Sequence, residues 1–525
     1  MNNTPSPAGS AVSKIASLVV NSFHKDLVLG AIFILITALY AILMFTDRVP
    51  ILGLVGLLGL WLIHSVLGGR LTHATPIDMP LIALLGLLPF SLAVSVDWNL
   101  SLPKVYGLIL GIALFYLIVN TVRDYQRLRL AILGLVLLAL GTALLGLFSA
   151  NWADHKVFDI PQVYDRLPHL IAAIPRNQGG INPNTFGGAL TFFVPLLTGL
   201  LLDGGAFQRK YLAHHPHPNW ALLVYKLFLL TALTVVSATL LLTQSRSAYL
   251  GAAAGMLALA IWRDRRFLIL LPILLVVFFA ALRVLGEGNF AQLLSLMDTT
   301  RDPSIRFRLE SWQGTVAMIQ DFPFTGTGIG TYGHLYSDLY RFNPFTFPET
   351  DPFAAHNTLL SVAVDLGLPA LVLYTATLSG LASMFSRPIK TSRSIIKVLL
   401  IGLACGVLAH QVFGMMDAFV LGTKLGVIQW IFFGLAAAII THRRNFHWHS
   451  PMTAERRAKP EQVKVLRSLE NLGLGLALWL LLSLVAVTFI NLSPYLSIVL
   501  AIAGGILLGI YLTQRHKFWE HKEVA

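Results

Sequence analysis

Apolar runs close to twenty residues long recur from end to end of the chain, each bounded by charged or turn-forming residues. A run of that length crosses a hydrocarbon core of about 30 Å as a helix. In lipid, only a helix or a closed barrel satisfies its own backbone. The runs are continuously apolar and lack a period-two alternation, which argues against a barrel. The pattern predicts spans at about 27–45, 50–67, 79–96, 103–122, 130–148, 186–202, 221–242, 247–262, 267–285, 356–385, 395–416, 422–441, 471–490 and 494–512. The expected fold class is therefore an all-α polytopic membrane bundle of about fourteen helices.

Lysine and arginine set the expected orientation. With a cytoplasmic N-terminus, about 26 of the 38 basic residues fall inside and about 12 outside, the bias that cytoplasmic loops carry. Both termini are then cytoplasmic. Residues 1–26 form an N-terminal segment, 27–441 the main transmembrane core, 442–470 a basic cytoplasmic linker, and 471–525 two extra helices with a basic tail. Two outer segments are long, about 149–185 and about 286–355, and connections of such length usually carry function. In the second, Leu309, Trp312, Val316 and Ile319 recur at helical spacing beside Arg306, Arg308 and Glu310, predicting an amphipathic helix. Asp321-Phe322-Pro323 ends it, and Gly326, Gly328 and Gly330 predict a tight loop.

Composition narrows the function. Of 525 residues, 56% are hydrophobic and 12% charged, about half the charged share of a soluble domain. The net charge of +13 is spread over short loops between spans, so it reflects membrane topology and not nucleic-acid binding. A single cysteine, Cys405, allows no disulfide framework within the chain. No cleavable signal peptide is expected, because the first 26 residues are polar and mixed. The glycine run lacks the strand–turn–helix setting of a dinucleotide site, and no Walker motif is present. No cofactor is expected, and the lack of an acidic triplet points to metal-free chemistry.

The candidate chemistry gathers at the expected outer face. Arg176 lies in Arg-Asn-Gln-Gly-Gly-Ile-Asn-Pro-Asn-Thr-Phe-Gly. There Asn182, Pro183 and Asn184 form a turn and cap, so a helix N-terminus points its free amides outward as an anion site. Arg246, in Thr-Gln-Ser-Arg-Ser, is squeezed between two spans and either snorkels or faces a polar cavity. His356, in Ala-Ala-His-Asn-Thr-Leu-Leu, opens the tenth span; it is either a helix-start histidine or a base near neutral pH. His410, Gln411, Asp417 and Lys424 form a polar cluster near the outer ends of the eleventh and twelfth spans, read either as functional or as a structural ion pair between Asp417 and Lys424. Two arginines and a helix N-terminus can hold a diphosphate, while a nearby histidine takes the proton of an attacking hydroxyl. The energy source suited to such a site is an activated lipid-linked donor.

From about Arg176 to Thr441 the chain resembles the O-antigen ligase superfamily, which includes polysaccharide polymerases and bacterial O-linked oligosaccharyltransferases. The carriers are Arg-Asn-Gln-Gly-Gly-Ile-Asn-Pro-Asn, Thr-Gln-Ser-Arg-Ser, Arg306 to Trp312 leading into Asp-Phe-Pro-Phe-Thr-Gly-Thr-Gly-Ile-Gly, and His-Asn-Thr-Leu-Leu ahead of Asp-Leu-Gly-Leu-Pro. The resemblance implies a GT-C-like, metal-independent, inverting glycosyltransferase of the inner membrane. It would move a glycan from undecaprenyl diphosphate to an acceptor hydroxyl on a glycan, a lipid such as the lipopolysaccharide core, or a protein. By position it makes His356, Arg176 and Arg246 the catalytic residues, with Asn182, Asn184, Arg306, Arg308, Trp312, His410 and Asp417 around the substrate. The family's serine-arginine motif is often followed by glycine, where Ser247 stands here, and the two C-terminal spans exceed the usual count. The rival reading is a transporter of bicarbonate-like solutes using the His410–Asp417 cluster. It expects discontinuous helices at the midplane and an internal repeat, and no repeat is evident. A structural scaffold for an export complex is a third reading, and it accounts for neither the arginines nor the histidine.

Overall fold

A computed structural model describes residues 35–37, 55–59, 72–152, 181–202, 218–269, 303–341, 354–391, 395–417, 421–442, 445, 460–491 and 493–522. Arg176 and the predicted spans at 27–45, 50–67 and 267–285 lie wholly or largely outside them. The described residues are helical, apart from loops and one isolated bridge between Ala150 and Ile181.

The helices are α1 (Asp78–Ala93), α2 (Trp98–Thr121), α3 (Tyr125–Ser149), α4 (Pro183–Thr191), α5 (Phe193–Leu202), α6 (Pro218–Leu242), α7 (Arg246–Arg263), α8 (Pro303–Asp321), α9 (Thr358–Thr391), α10 (Ile395–Gly414), α11 (Lys424–Thr441), α12 (Pro460–Phe489) and α13 (Pro494–Lys522). Seven apolar stretches among the described residues are long enough to cross a membrane, and α1, α11 and the latter part of α12 are shorter apolar helices. Caps mark the starts: Asp97 accepts from Asn99 N ahead of α2, and Asp124 from Arg127 N ahead of α3. The interrupted pair α4–α5 breaks at Phe192, where Pro195 cannot donate to Thr191. Outward faces such as Leu130, Leu133, Leu137 and Leu144 on α3 remain exposed and apolar, as a lipid-facing surface requires. The protein is a helical membrane protein.

Contacts between distant segments sort the helix ends into two sets. At one end, Gly422 abuts Lys104 and Gly107 near the start of α2, Gly328 abuts Ser95 after α1, and Gln320 at the end of α8 donates to Asn491 between α12 and α13. At the other end, His442 after α11 bonds Val119 O near the end of α2, and Lys397 on α10 lies over the Trp262 ring on α7. Small residues let neighbouring backbones approach. Gly251 and Gly255 of α7 lie against Ala409 and Cys405 of α10, and Gly505 and Gly509 of α13 against Val372 and Ala376 of α9. The C-terminal helix is thus packed directly along α9.

Two elements differ from the sequence pattern. The helix at 303–321 forms as expected, but Leu309 is 38% exposed while Ser311 and Thr315 are fully buried. The expected Val316 and Ile319 are buried, and Ser311 and Thr315 join them against Tyr332, whose hydroxyl lies 2.8 Å from Ser311 Oγ and 3.0 Å from Thr315 Oγ1. The predicted span at 356–385 is also not one continuous helix. Gly367 takes φ 83°, ψ 170°, a conformation that glycine alone adopts freely, and it breaks α9 into 358–366 and 368–391. The glycine loop fills the break. Thr327 N donates to Val364 O at 2.7 Å, and Leu368 N donates to Pro323 O at 2.7 Å. Gly326, Gly328 and Gly330 all have positive φ, as the tight-loop expectation requires.

Candidate functional site

The first of these two ends, where α7, α9 and α11 begin and α10 finishes, collects the candidate side chains around one short turn. After Gly414 ends α10, the chain passes through Met415, Met416 and Asp417. Three separate elements hold this turn. Asn357 caps α9, its Oδ1 accepting from Leu359 N at 3.0 Å and Leu360 N at 3.1 Å, while its Nδ2 donates to Met415 O at 3.1 Å. Arg308 of α8 donates through Nε to Met416 O at 2.6 Å. Ser247 of α7 donates through Oγ to Asp417 Oδ2 at 3.2 Å.

The other oxygen of that carboxylate, Asp417 Oδ1, lies 3.3 Å from His356 Nδ1. The pair is partly shielded, with side-chain exposures of 17% for His356 and 9% for Asp417. An ionised carboxylate only accepts hydrogen bonds, so beside it the imidazole favours the tautomer with the proton on Nδ1. Phe307 of α8 stands edge-on to the imidazole, with ring centroids 5.5 Å apart. His356 adopts φ +49°, in the left-handed region that non-glycine residues enter mainly in special settings.

Ser245 caps α7 by accepting from Ala248 N at 3.4 Å, and its Oγ lies 3.2 Å from Ser247 Oγ. Arg246 is the exposed first residue of that helix, between two buried serines. Asn182 caps α4, its Oδ1 accepting from Asn184 N at 2.9 Å, and Pro183 follows as the first helical residue. Gly187, one turn on, packs against Ser245, so the N-termini of α4 and α7 lie side by side. Two adjacent helix N-termini and an arginine make this end of the bundle suited to an anion.

The structure ties His356, Asp417, Arg308 and the residue after Arg246 into one cluster. Arg306 instead pairs with Glu310 at 3.0 Å, one turn along α8, and Trp312 is half-buried on the same helix. His410 is fully buried; its ring stacks on Phe192 at 4.1 Å and its Nδ1 lies 3.1 Å from Gly188 O. The side chain of Lys424 is outside the described residues. In the short helical turns at Tyr332–Leu335 and Tyr336–Tyr340, burial raises Tyr332 and Tyr336 above the ordinary phenol range, and burial with an Asp321 hydrogen bond pushes Tyr340 up to about 12. These phenols are neutral donors and not bases.

Sequence reasoning did not single out Ser247 or Asn357. Each is the neighbour of a residue it did select, but nothing in a linear pattern joins Ser247 to a carboxylate 170 positions on. No curated protein matches the chain. Residues 229–375 match the family model described as O-Antigen ligase, a stretch that holds Arg246, Ser247, all of α8, the glycine loop and His356. Over that segment, the chain is similar to the O-antigen ligase family.

Proposed function

We propose that this membrane enzyme transfers a glycan from undecaprenyl diphosphate to an acceptor hydroxyl at the outer face of the inner membrane. The observation that carries the reading is the single carboxylate of Asp417, bonded both to His356 and to the residue that follows Arg246. It holds a proton acceptor close to a cationic helix N-terminus.

In the reaction, the acceptor oxygen attacks the anomeric carbon from the side opposite the diphosphate, which inverts that centre. The bond from the anomeric carbon to the phosphate oxygen breaks, and the bonding electrons leave with the diphosphate. The acceptor proton passes to His356 Nε2, and Asp417 stabilises the imidazolium that forms. Arg246, Arg176 and the N-termini of α4 and α7 take up the charge on the departing lipid diphosphate. Fixed cations aimed at developing charge are commonly the largest catalytic contribution. This chemistry assigns no step to a metal. The acceptor can be a glycan, a lipid core or a protein hydroxyl.

The break in α9 is the feature a carrier would share. Here, however, the backbone groups it frees at Val364 and Leu368 bond to the glycine loop and not to a permeation path. A reconstituted assay with a lipid-linked glycan tests the reading. Arg176→Ala, Arg246→Ala and His356→Ala should each lower transfer by about a thousandfold or more while the protein still inserts and melts as wild type. Normal transfer by all three would end it, and solute flux in liposomes that needs His410 but not His356 would favour a carrier.

A further inference from the structure

We infer that Ser247 is a positioning residue that orients the Asp417 carboxylate towards His356 and couples that pair to the helix carrying Arg246. The inference rests on the glycan-transfer reading, to which it adds a residue with no assigned role.

The hydroxyl of Ser247 is buried and donates to Asp417 Oδ2 at 3.2 Å, while Asp417 Oδ1 faces His356 Nδ1 at 3.3 Å. With one oxygen engaged on each side, the carboxylate cannot turn about its last torsion without losing a bond. That torsion is otherwise soft. Fixing it keeps the imidazole proton on Nδ1 and the lone pair on Nε2, as outer partners do for other histidines. Ser247 is itself held, since its Oγ lies 3.2 Å from Ser245 Oγ, and Ser245 caps the same helix turn. The first turn of α7 therefore presents Arg246 outward while its two serines face the carboxylate side. Donor site and proton acceptor are joined by three hydroxyl or carboxylate groups in series.

The test uses the full-length protein in proteoliposomes with a lipid-linked glycan donor. Ser247→Ala should lower kcat about tenfold or more with the donor KM unchanged, the size expected for a hydrogen bond to a charged group. Ser247→Gly deletes the same hydroxyl with a different effect on packing, so it must agree with Ser247→Ala. Ser247→Thr keeps the hydroxyl and should restore most of the rate. In an Asp417→Asn background, Ser247→Ala should have almost no further effect on the residual rate, because the group it orients is gone.

Wild-type kcat in Ser247→Ala, with His356→Ala and Asp417→Asn still strongly impaired, overturns the inference and leaves the transfer reading intact. A loss that Thr does not rescue, or that adds in full to Asp417→Asn, reduces Ser247 to a packing residue and also overturns it. Wild-type transfer by His356→Ala and Asp417→Asn removes the transfer reading and the inference together. Melting temperatures of every variant separate these outcomes from simple misfolding.

Discussion

Two histidines sit near the same end of the bundle, and their surroundings are opposite. His356 precedes α9, keeps part of its ring accessible, faces a carboxylate and has an unusual backbone. His410 lies one turn inside α10, fully buried, stacked on Phe192 and bonded to the carbonyl of Gly188. The adjacent Gln411 ties in two further residues, its Oε1 accepting from Tyr374 Oη at 3.0 Å and its Nε2 donating to Gln429 Oε1 at 3.1 Å. Both histidines are ionisable residues at a membrane-spanning helix, and sequence alone flags both. What separates them is access and an acidic partner, and on the proposed function that makes His356 the proton acceptor and His410 a tie between helices.

The largest expected effect comes from removing the accessible ring. His356→Ala should lower the transfer rate about a thousandfold, the range for loss of a general base, with little change in melting temperature. A stable variant at wild-type rate would erase the distinction between the two histidines. Next in size is Gly367→Ala. A side chain there meets the carbonyl of Phe324 and must adopt a left-handed backbone, a strain of about 1–3 kcal/mol before the loop is displaced. Its melting temperature and transfer rate should therefore fall together, and transfer alone falling would show that the break acts on chemistry directly.

His410→Phe sharpens the comparison from the other side. It keeps the stack on Phe192 and loses one hydrogen bond, while Gly188 O still accepts from Thr191 Oγ1 at 2.7 Å. Stability should drop by about 1 kcal/mol, as for one neutral hydrogen bond, and transfer should stay within a few-fold of wild type. A complete loss of transfer in a folded protein would move His410 into the site.

The smallest effect concerns a third histidine, at the opposite end. Burial, helped by the nearby charges of His73, Arg123 and Arg127, lowers His442 to about 4, against the opposing bond to Val119 O. A folded value below the unfolded one favours the neutral ring, so the associated stability is present above about pH 6.5 and fades as pH falls towards 4. His442→Gln should flatten that part of the melting-temperature profile, and an unchanged profile would contradict it.

Much of the helical body was legible in the residues. Continuous apolar runs, the Asn182 cap and the glycine loop all follow from local rules. The break in α9 was not legible, because Asp-Leu-Gly-Leu-Pro reads as a helix tolerating one glycine. Only the loop at 323–327, about forty residues earlier, gives Val364 and Leu368 their replacement partners. The packing of α13 on α9 was hidden for a related reason. Gly505 and Gly509 are unremarkable in an apolar run until Val372 and Ala376 are known to face them. In the site, Asp417 was selected for being ionisable near a span, but its part as the meeting point of His356 and Ser247 is a property of three distant segments.

The most direct test is to determine the structure of the protein with undecaprenyl diphosphate bound. The diphosphate should lie with its oxygens about 3 Å from the Arg246 guanidinium, as charge-assisted bonds require, at the N-termini of α4 and α7 and on the side of Asp417 that carries His356. A headgroup held at the opposite end, near His442 and Arg123, would contradict the account.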